Sequence, residues 1–266
     1  MKPRVIGLIP ARYGSTRFPG KPLALIAGRP MIELVYRRCL RSRLLEEVAV
    51  ATDDPRIAAC VAAFGGRAVM TSRRHRSGTD RIAEALAKLE HRRRKFEIVV
   101  NIQGDEPLVS PAAIDQLASA MICDPTVPMA TLAARFGDRR ELEDPNTVKI
   151  AVDRDGDALY FSRSVIPFAR QPGKTDLGRY RKHIGLYAYR ASFLRRFTSW
   201  PPGRLEGIEQ LEQLRALERG ARIRVVPTRH HSPAVDTPAD LKRAESMLRR
   251  APAAVTAAAG PGRRAP

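Results

Sequence analysis

Residues suited to covalent or metal cross-linking are scarce in this chain. It holds 3 cysteines, 1 tryptophan and 6% aromatic residues in 266 positions. Cys39, Cys60 and Cys123 lie far apart, are odd in number and show no CxxC spacing. That pattern excludes a disulfide framework and a thiolate metal centre, and leaves reduced, structural cysteines. No apolar run is long enough to span a bilayer. The start, "MKPRVIGLIPAR", is basic and then briefly apolar. It lacks a small-residue cleavage site after a long apolar segment, so it reads as a first core strand rather than a signal peptide. The expectation is a cytoplasmic protein with no membrane insertion.

Acids are also in short supply, 28 against 47 lysines and arginines, for a net charge of +19. Such an excess suggests a polyanionic partner. The excess is spread along the chain, however, and 39 of the 47 cations are arginine. The only dense run, "HRRRK" at His91–Lys95, closes a predicted helix, where cations complement the helix dipole and face water. No nucleic-acid fold signature accompanies it, so no specific nucleic acid is expected. A non-catalytic polyanion-binding protein stands as the alternative from a different functional class.

What is present is an alternation. The first half predicts strands at Val5–Ile9, Val48–Ala51, Arg67–Met70 and Glu97–Ile102. Helices fall between and after them at Pro30–Leu45, Pro55–Phe64, Ser77–Leu89 and Pro111–Ile122. Continuous apolar strands separated by amphipathic helices imply a mostly parallel sheet covered on both faces. The second half predicts strands Met129–Phe136, Thr147–Val152, Ala158–Ser162 and Ile184–Tyr189, joined by loops rather than helices. A helix at Ile208–Leu217, a late strand at Arg222–Pro227 and a last helix at Pro238–Arg249 follow. The fold class is therefore α/β: a Rossmann-like mixed, mostly parallel sheet between helices, with a smaller β-rich insertion. Residues 1–250 read as one domain, with a nucleotide-binding half over about 1–125 and a second region over about 126–235. The Ala/Pro/Gly/Arg-rich tail, 251–266, is expected to be disordered.

In open α/β sheets, ligands sit beyond the carboxyl ends of the strands. The stretch "PARYGSTRFPGKPL", Pro10–Leu23, leaves the first predicted strand at that end. Gly14 and Gly20 permit tight turns that aim backbone N–H groups at an anion. Arg12, Arg17 and Lys21 add charge-assisted donors for phosphate oxygens. It is not a Walker A loop, because Gly20-Lys21 is followed by Pro22 and no GxxxxGK spacing precedes it. A second segment, "NIQGDEPLV", places Asp105 and Glu106 directly after a buried strand. Carboxylates there need water, a cation or a metal, and Mg²⁺ takes one or two carboxylates together with substrate phosphates. A polar turn closed by Pro107 is the plainer reading. Asp236, in "AVDTPADL", is a third acid. It is either a turn acid before the Thr237 cap or, if the late strand packs beside the first, a partner to the same metal.

Taken in order, "PARYGSTRFPGKPL", "ATDD", "HRSGTDR", "NIQGDEP", "NTVKI", "YFSRSVIP", "HIGLYAYR", "LEGIEQLEQLRALERG" and "VDTPADL" resemble the 3-deoxy-manno-octulosonate (KDO) cytidylyltransferases over about residues 4–248. The resemblance implies a Rossmann-like nucleotidyltransferase that moves CMP from CTP to KDO and releases pyrophosphate for lipopolysaccharide biosynthesis. It also implies a homodimer formed through the β-rich region. The alternatives are other acid sugars, 8-amino-KDO or a sialic acid. By the same resemblance Arg12, Lys21 and Asp105 are catalytic, and Asp105 and Asp236 hold Mg²⁺. The nucleotide falls to Ala11, Arg12, Ser15, Arg17, Lys21, Arg73, Ser77, Thr79 and Asp105. The acid sugar falls to Gln103, Arg163, His183, Tyr187, Glu209 and Gln213. Ser77 and Thr79 equally read as no more than a helix cap, and His183 as a strand-end histidine. Tyr187 and Tyr189 are expected to face opposite ways, one to the core and one to the pocket.

Overall fold

The computed structural model describes residues 2–14, 18–91, 95–170, 176–230 and 232–250. The tail expected to be disordered and most of the "HRRRK" run lie outside these residues. The first strand, β1 (Val5–Ala11), sorts its side chains by the two-residue period of a pleated strand. Ile6 and Leu8 enter one core cluster, and Val5, Ile9 and Ala11 the other. Each cluster is one face of the sheet, so helices cover both sides as the apolar runs predicted.

The chain continues through the short strands β2 (Leu25–Ile26) and β3 (Arg29–Pro30), helix α1 (Met31–Cys39), β4 (Glu47–Thr52), α2 (Pro55–Ala63) and β5 (Ala68–Met70). Next come α3 (Gly78–Leu89), β6 (Ile98–Asn101), α4 (Pro111–Cys123), β7 (Met129–Ala134) and α5 (Arg139–Glu143). The strand-rich part holds β8 (Lys149–Val152), β9 (Ala158–Ser162) and β10 (Lys182–Arg190). The chain then runs through α6 (Ala191–Ser199), α7 (Arg204–Glu209), α8 (Leu214–Glu218), β11 (Ile223–Pro227) and α9 (Pro238–Arg250). The main sheet has the order β11-β7-β10-β6-β1-β4-β5, and the β8–β9 hairpin joins it through β10. Strands β6, β1, β4 and β5 run parallel, while β10 is antiparallel to both β6 and β7. The mixed, mostly parallel sheet between helices is therefore present.

Four expectations need correction. Helix α1 stops at Cys39 rather than Leu45. Asp115 of α4 accepts from the Ser42 hydroxyl at 2.5 Å and from the N–H groups of Arg43 and Leu44 at 3.0 and 3.1 Å, and so holds the chain in a turn. The single helix at Ile208–Leu217 is two, because Gln210 adopts a left-handed φ of 54°. Ile208 is consequently 67% exposed and takes no part in the face that Leu211 and Leu214 bury. Two further helices, α5 and α6, stand in the second half where only loops are expected. Asp138 caps α5 through the Glu141 N–H at 2.8 Å, and α6 buries Phe193, Leu194 and Phe197 against the sheet. Finally, the late strand β11 pairs with β7 at the edge of the sheet, with three strands between it and β1.

Candidate functional site

A cleft of about 290 Å³ opens at the carboxyl ends of β1 and β6, where the parallel topology predicts a ligand. Two glycines allow its walls to form. A Cβ on Gly104 would lie 2.8 Å from the Pro10 carbonyl oxygen, so only glycine lets the end of β6 approach the end of β1 this closely. Gly20 has a φ of 71° and donates its N–H to the Tyr13 carbonyl at 3.0 Å, which closes the first loop.

The loop turns directly into a short helical turn that aims Lys21 into the cleft. Its ammonium donates to Asp105 Oδ2 at 2.6 Å and to Asp236 Oδ1 at 3.0 Å. The lysine side chain is 11% exposed, and the two carboxylates are 31% and 41% exposed. Asp236 arrives here although β11 lies far from β1. The return segment crosses the sheet ends, and Val235 donates its N–H to the Asp105 carbonyl at 2.9 Å. The neighbouring acids 105 and 106 part company. Asp105 faces the cleft, while Glu106 is buried, and burial together with the Asp105 charge pushes its pKa up to about 8. Two partly exposed carboxylates converging on one cation form the kind of donor set that Mg²⁺ shares with phosphate oxygens. The residues present thus fit that ion.

Ala11, Arg12, Ser77 and Gln103 line the same cleft. Arg12 is exposed at its mouth. Ser77 caps α3 by accepting the Asp80 N–H at 3.0 Å, so the capping and cleft-lining readings hold together. Gln103 donates to the Gly185 carbonyl at 3.1 Å, tying the cleft to β10. Ser15 and Arg17 lie outside the described residues. Two expected nucleotide contacts stand elsewhere. Arg73 is exposed and lines no part of this cleft. Thr79 is 2% exposed and donates to Glu212 at 2.5 Å, behind the wall.

Sequence reading missed His75, Arg76 and Arg81, which also line the cleft. All three stood inside the quoted "HRSGTDR", and Arg81 is held by the Thr71 hydroxyl at 2.7 Å and by Asp53 at 3.2 Å. His75 is paired with Glu84. Burial alone would raise the Glu84 pKa, but Lys88, the Ser72 N–H and His75 outweigh it and bring it down to about 2.

The expected sugar residues form a second group. His183 Nε2 meets the Thr131 hydroxyl at 3.1 Å, with the rings of Phe161 and Tyr187 each 5.3 Å away. Burial lowers its pKa to about 3, so the imidazole is neutral. Tyr187 and Tyr189 lie two residues apart on one strand and so share a face. Their rings stack at 6.1 Å, which corrects the expectation of opposite faces. Arg163 donates to the carbonyls of Glu209 at 2.8 Å and Pro145 at 3.1 Å. Glu209 in turn accepts from the Ser162 hydroxyl at 2.6 Å and the Arg163 N–H at 2.9 Å. Gln213 is 5% exposed, and its Nε2 has no hydrogen-bond partner among the described residues. No helix among the described residues is long and apolar enough to cross a membrane.

The sequence profile of the cytidylyltransferase family matches residues 6–223. A 3-deoxy-manno-octulosonate cytidylyltransferase of Syntrophobacter fumaroxidans is 54% identical over 245 residues, 92% of this chain and 97% of that protein. One from Geobacter sulfurreducens is 51% identical over 254 residues, covering 92% and 99%. A solved CMP:2-keto-3-deoxy-manno-octonic acid synthetase complexed with CTP superposes with a TM-score of 0.86 at 44% identity, over 93% of this chain and 99% of that one. On the match to the family profile and to relatives above half identity across nearly their whole length, the chain belongs to the 3-deoxy-manno-octulosonate cytidylyltransferase family.

Proposed function

We infer that this protein transfers CMP from CTP to the anomeric hydroxyl of KDO and releases pyrophosphate. The observation that carries this reading is the convergence of Lys21, Asp105 and Asp236, from three distant segments, in a cleft that Arg12 and Ser77 also line. The family to which the chain belongs identifies the nucleotide and the sugar.

The chemistry is an in-line displacement at the α-phosphorus. The sugar hydroxyl gives up its proton to solvent and its oxygen forms the new P–O bond as the bond from the α-phosphorus to the bridging oxygen breaks, and the pyrophosphate leaves with that electron pair. Such transfers gain most of their rate from positioning and electrostatics. Arg12 and Lys21 supply positive charge to the triphosphate and to the departing pyrophosphate. Ala11 and Ser77 stand at the end of β1 and the start of α3, where the base would lie. Asp105 and Asp236 would hold Mg²⁺, which would supply Lewis-acid charge neutralisation and would make the attacking hydroxyl more acidic. Gln103, tied to Gly185, orients the sugar beside Tyr187 and the neutral His183. Arg163 and Glu209 fix the chain that carries Gln213, and no protein nucleophile is needed.

The same reading places the enzyme in the cytoplasm and its product in lipopolysaccharide biosynthesis. It also makes the protein a homodimer joined through the strand-rich region, where Leu159 and Phe168 are 62% and 86% exposed. Sedimentation velocity tests the dimer, and a monomer at micromolar concentration would remove it. The activity is tested by pyrophosphate release from CTP and Mg²⁺, scanned over KDO, 8-amino-KDO and sialic acid. Release with KDO is expected. Silence with every acid sugar would sink the enzyme reading, and release with another sugar alone would move the substrate.

A further inference from the structure

The first loop is closed by a contact that is supported from outside the loop. Tyr13 and Gly20 are the immediate chain neighbours of Arg12 and Lys21, the two cations this loop gives to the cleft. Besides accepting the Gly20 N–H, Tyr13 lays its ring against that glycine. A Cβ on Gly20 would stand 3.1 Å from the ring atom Cε2 and 3.2 Å from Cζ and the phenol oxygen. The Gly20 carbonyl in turn accepts the Leu23 N–H at 2.8 Å, which starts the helical turn that carries Lys21. Where Lys21 stands relative to Arg12 is therefore set by how Tyr13 meets Gly20.

Arg56, on α2, holds Tyr13 in that place. Its guanidinium carbon lies 3.4 Å from the centroid of the Tyr13 ring, well within the reach of a cation–π contact. The guanidinium is itself gripped at two points, because Asp54 accepts from its Nε at 3.0 Å and from its Nη2 at 2.7 Å. Asp54 is fixed in turn as the cap of α2, where it takes the Arg56 backbone N–H at 2.9 Å. Ile57 and Val61 bury that helix in the core. The Arg56 side chain is 57% exposed, so burial does not explain its position; the carboxylate and the ring do. Three side chains thus link a core helix to the loop that carries the phosphate-directed cations.

We propose that Arg56 is a positioning residue for triphosphate binding: gripped by Asp54 and stacked on Tyr13, it keeps Tyr13 on Gly20 and so fixes the spacing of Arg12 and Lys21. The inference rests on the reading that these two cations meet the triphosphate.

The test compares binding of CTP and of CMP, each with Mg²⁺ and without sugar, by titration calorimetry. CMP lacks the two outer phosphates, so a spacing of cations suited to them matters to CTP alone. In Arg56→Leu we expect CTP to bind about three- to fivefold more weakly, the range of one cation–π contact, and CMP to change by less than about 1.5-fold. The melting temperature should stay close to that of the parent protein. Tyr13→Leu should give the same selective loss, and adding Arg56→Leu to it should cost CTP little more, because both act through one contact. If Tyr13→Leu folds poorly, the comparison of CTP with CMP in Arg56→Leu still decides. Equal loss of both nucleotides there, or unchanged CTP binding, overturns the proposal. So does the full Arg56→Leu loss recurring in the Tyr13→Leu background, which would make Arg56 a direct phosphate donor. Lys21→Met tests the premise. Unaltered CTP binding in that variant shows that Lys21 does not meet the triphosphate, and the proposal falls with it. Weakened CTP binding there, with Arg56→Leu unaffected, leaves the premise standing and removes the role of Arg56.

Discussion

The cleft and the strand-rich region use the same residue types to opposite ends. In the cleft, Arg12 and Arg76 are exposed and form no ion pair among the described residues, and Lys21 is shared by two partly exposed acids. In the hairpin region the cations are bound by the chain itself. Lys149 is 0% exposed and donates to the carbonyls of Asp144 and Arg163, both at 2.7 Å. Arg163 donates to three further carbonyls, and Glu209 accepts from the Ser162 hydroxyl of β9. The difference follows from topology. Parallel strands all end on one side and leave their following loops around a shared opening. Antiparallel hairpins return at once, so their polar groups meet backbone. Charge is free to act on a ligand in the first region and fixes chain geometry in the second.

The largest expected effect tests the cleft side of that contrast. Asp105→Asn or Asp236→Asn should lower pyrophosphate release by about a hundred- to a thousandfold or more, the range for losing a preorganised electrostatic partner. The fold should survive, because Lys21 keeps one acid in each variant. Wild-type turnover in either variant would remove that residue from the metal site. Lys21→Met should cost about a hundredfold in the same assay, with little change in unfolding midpoint.

The opposite signature is expected of Arg163→Lys. Lysine cannot reproduce a planar fork that reaches several carbonyls at once, so denaturant unfolding should show a loss of about 1–3 kcal/mol. If stability held and only the apparent affinity for KDO fell, Arg163 would belong with the cleft residues and the contrast would break.

These two regions also differed in how far the sequence disclosed them. The parallel half was readable because continuous apolar runs and their following loops place Pro10–Leu23 and Asp105 without reference to the rest of the chain. Asp236 was readable only through resemblance. The physical argument required β11 beside β1, and the actual route is a crossing segment anchored beside the cleft by the Val235–Asp105 hydrogen bond. Thr79 sat in a recognisable motif, yet its partner Glu212 comes from the far end of the chain, and no local pattern announces which way a hydroxyl turns. The break at Gln210 was invisible for a related reason. The apolar spacing at 208, 211, 214 and 217 suits a helix, and tertiary ties on Glu209 override it. Helix α6 begins at the residue directly after β10 without a turn signal to mark the change.

The smallest effect concerns a cleft-side acid that behaves like those of the hairpin region. Glu84 holds the wall residue His75 and accepts from the Ser72 N–H at 2.9 Å and from Lys88 at 2.7 Å. These partners outweigh burial and bring its folded pKa to about 2, against an ordinary value of 4.5. A depressed carboxylate pKa means that the unfolded chain binds more protons between those two values, so stability rises with pH there. Glu84 should therefore contribute fully above about pH 5, and the contribution should fade as the pH falls through 4 toward 2. With the side chain 25% exposed, solvent screening reduces the full effect to about 1–2 kcal/mol. Urea unfolding of the wild type and Glu84→Gln between pH 7 and pH 3 should show a constant gap down to about pH 5 that narrows below it. A gap that stayed constant to pH 3 would mean that Glu84 supports His75 by shape alone. The cleft wall would then be as free of stabilising charge as the cleft itself.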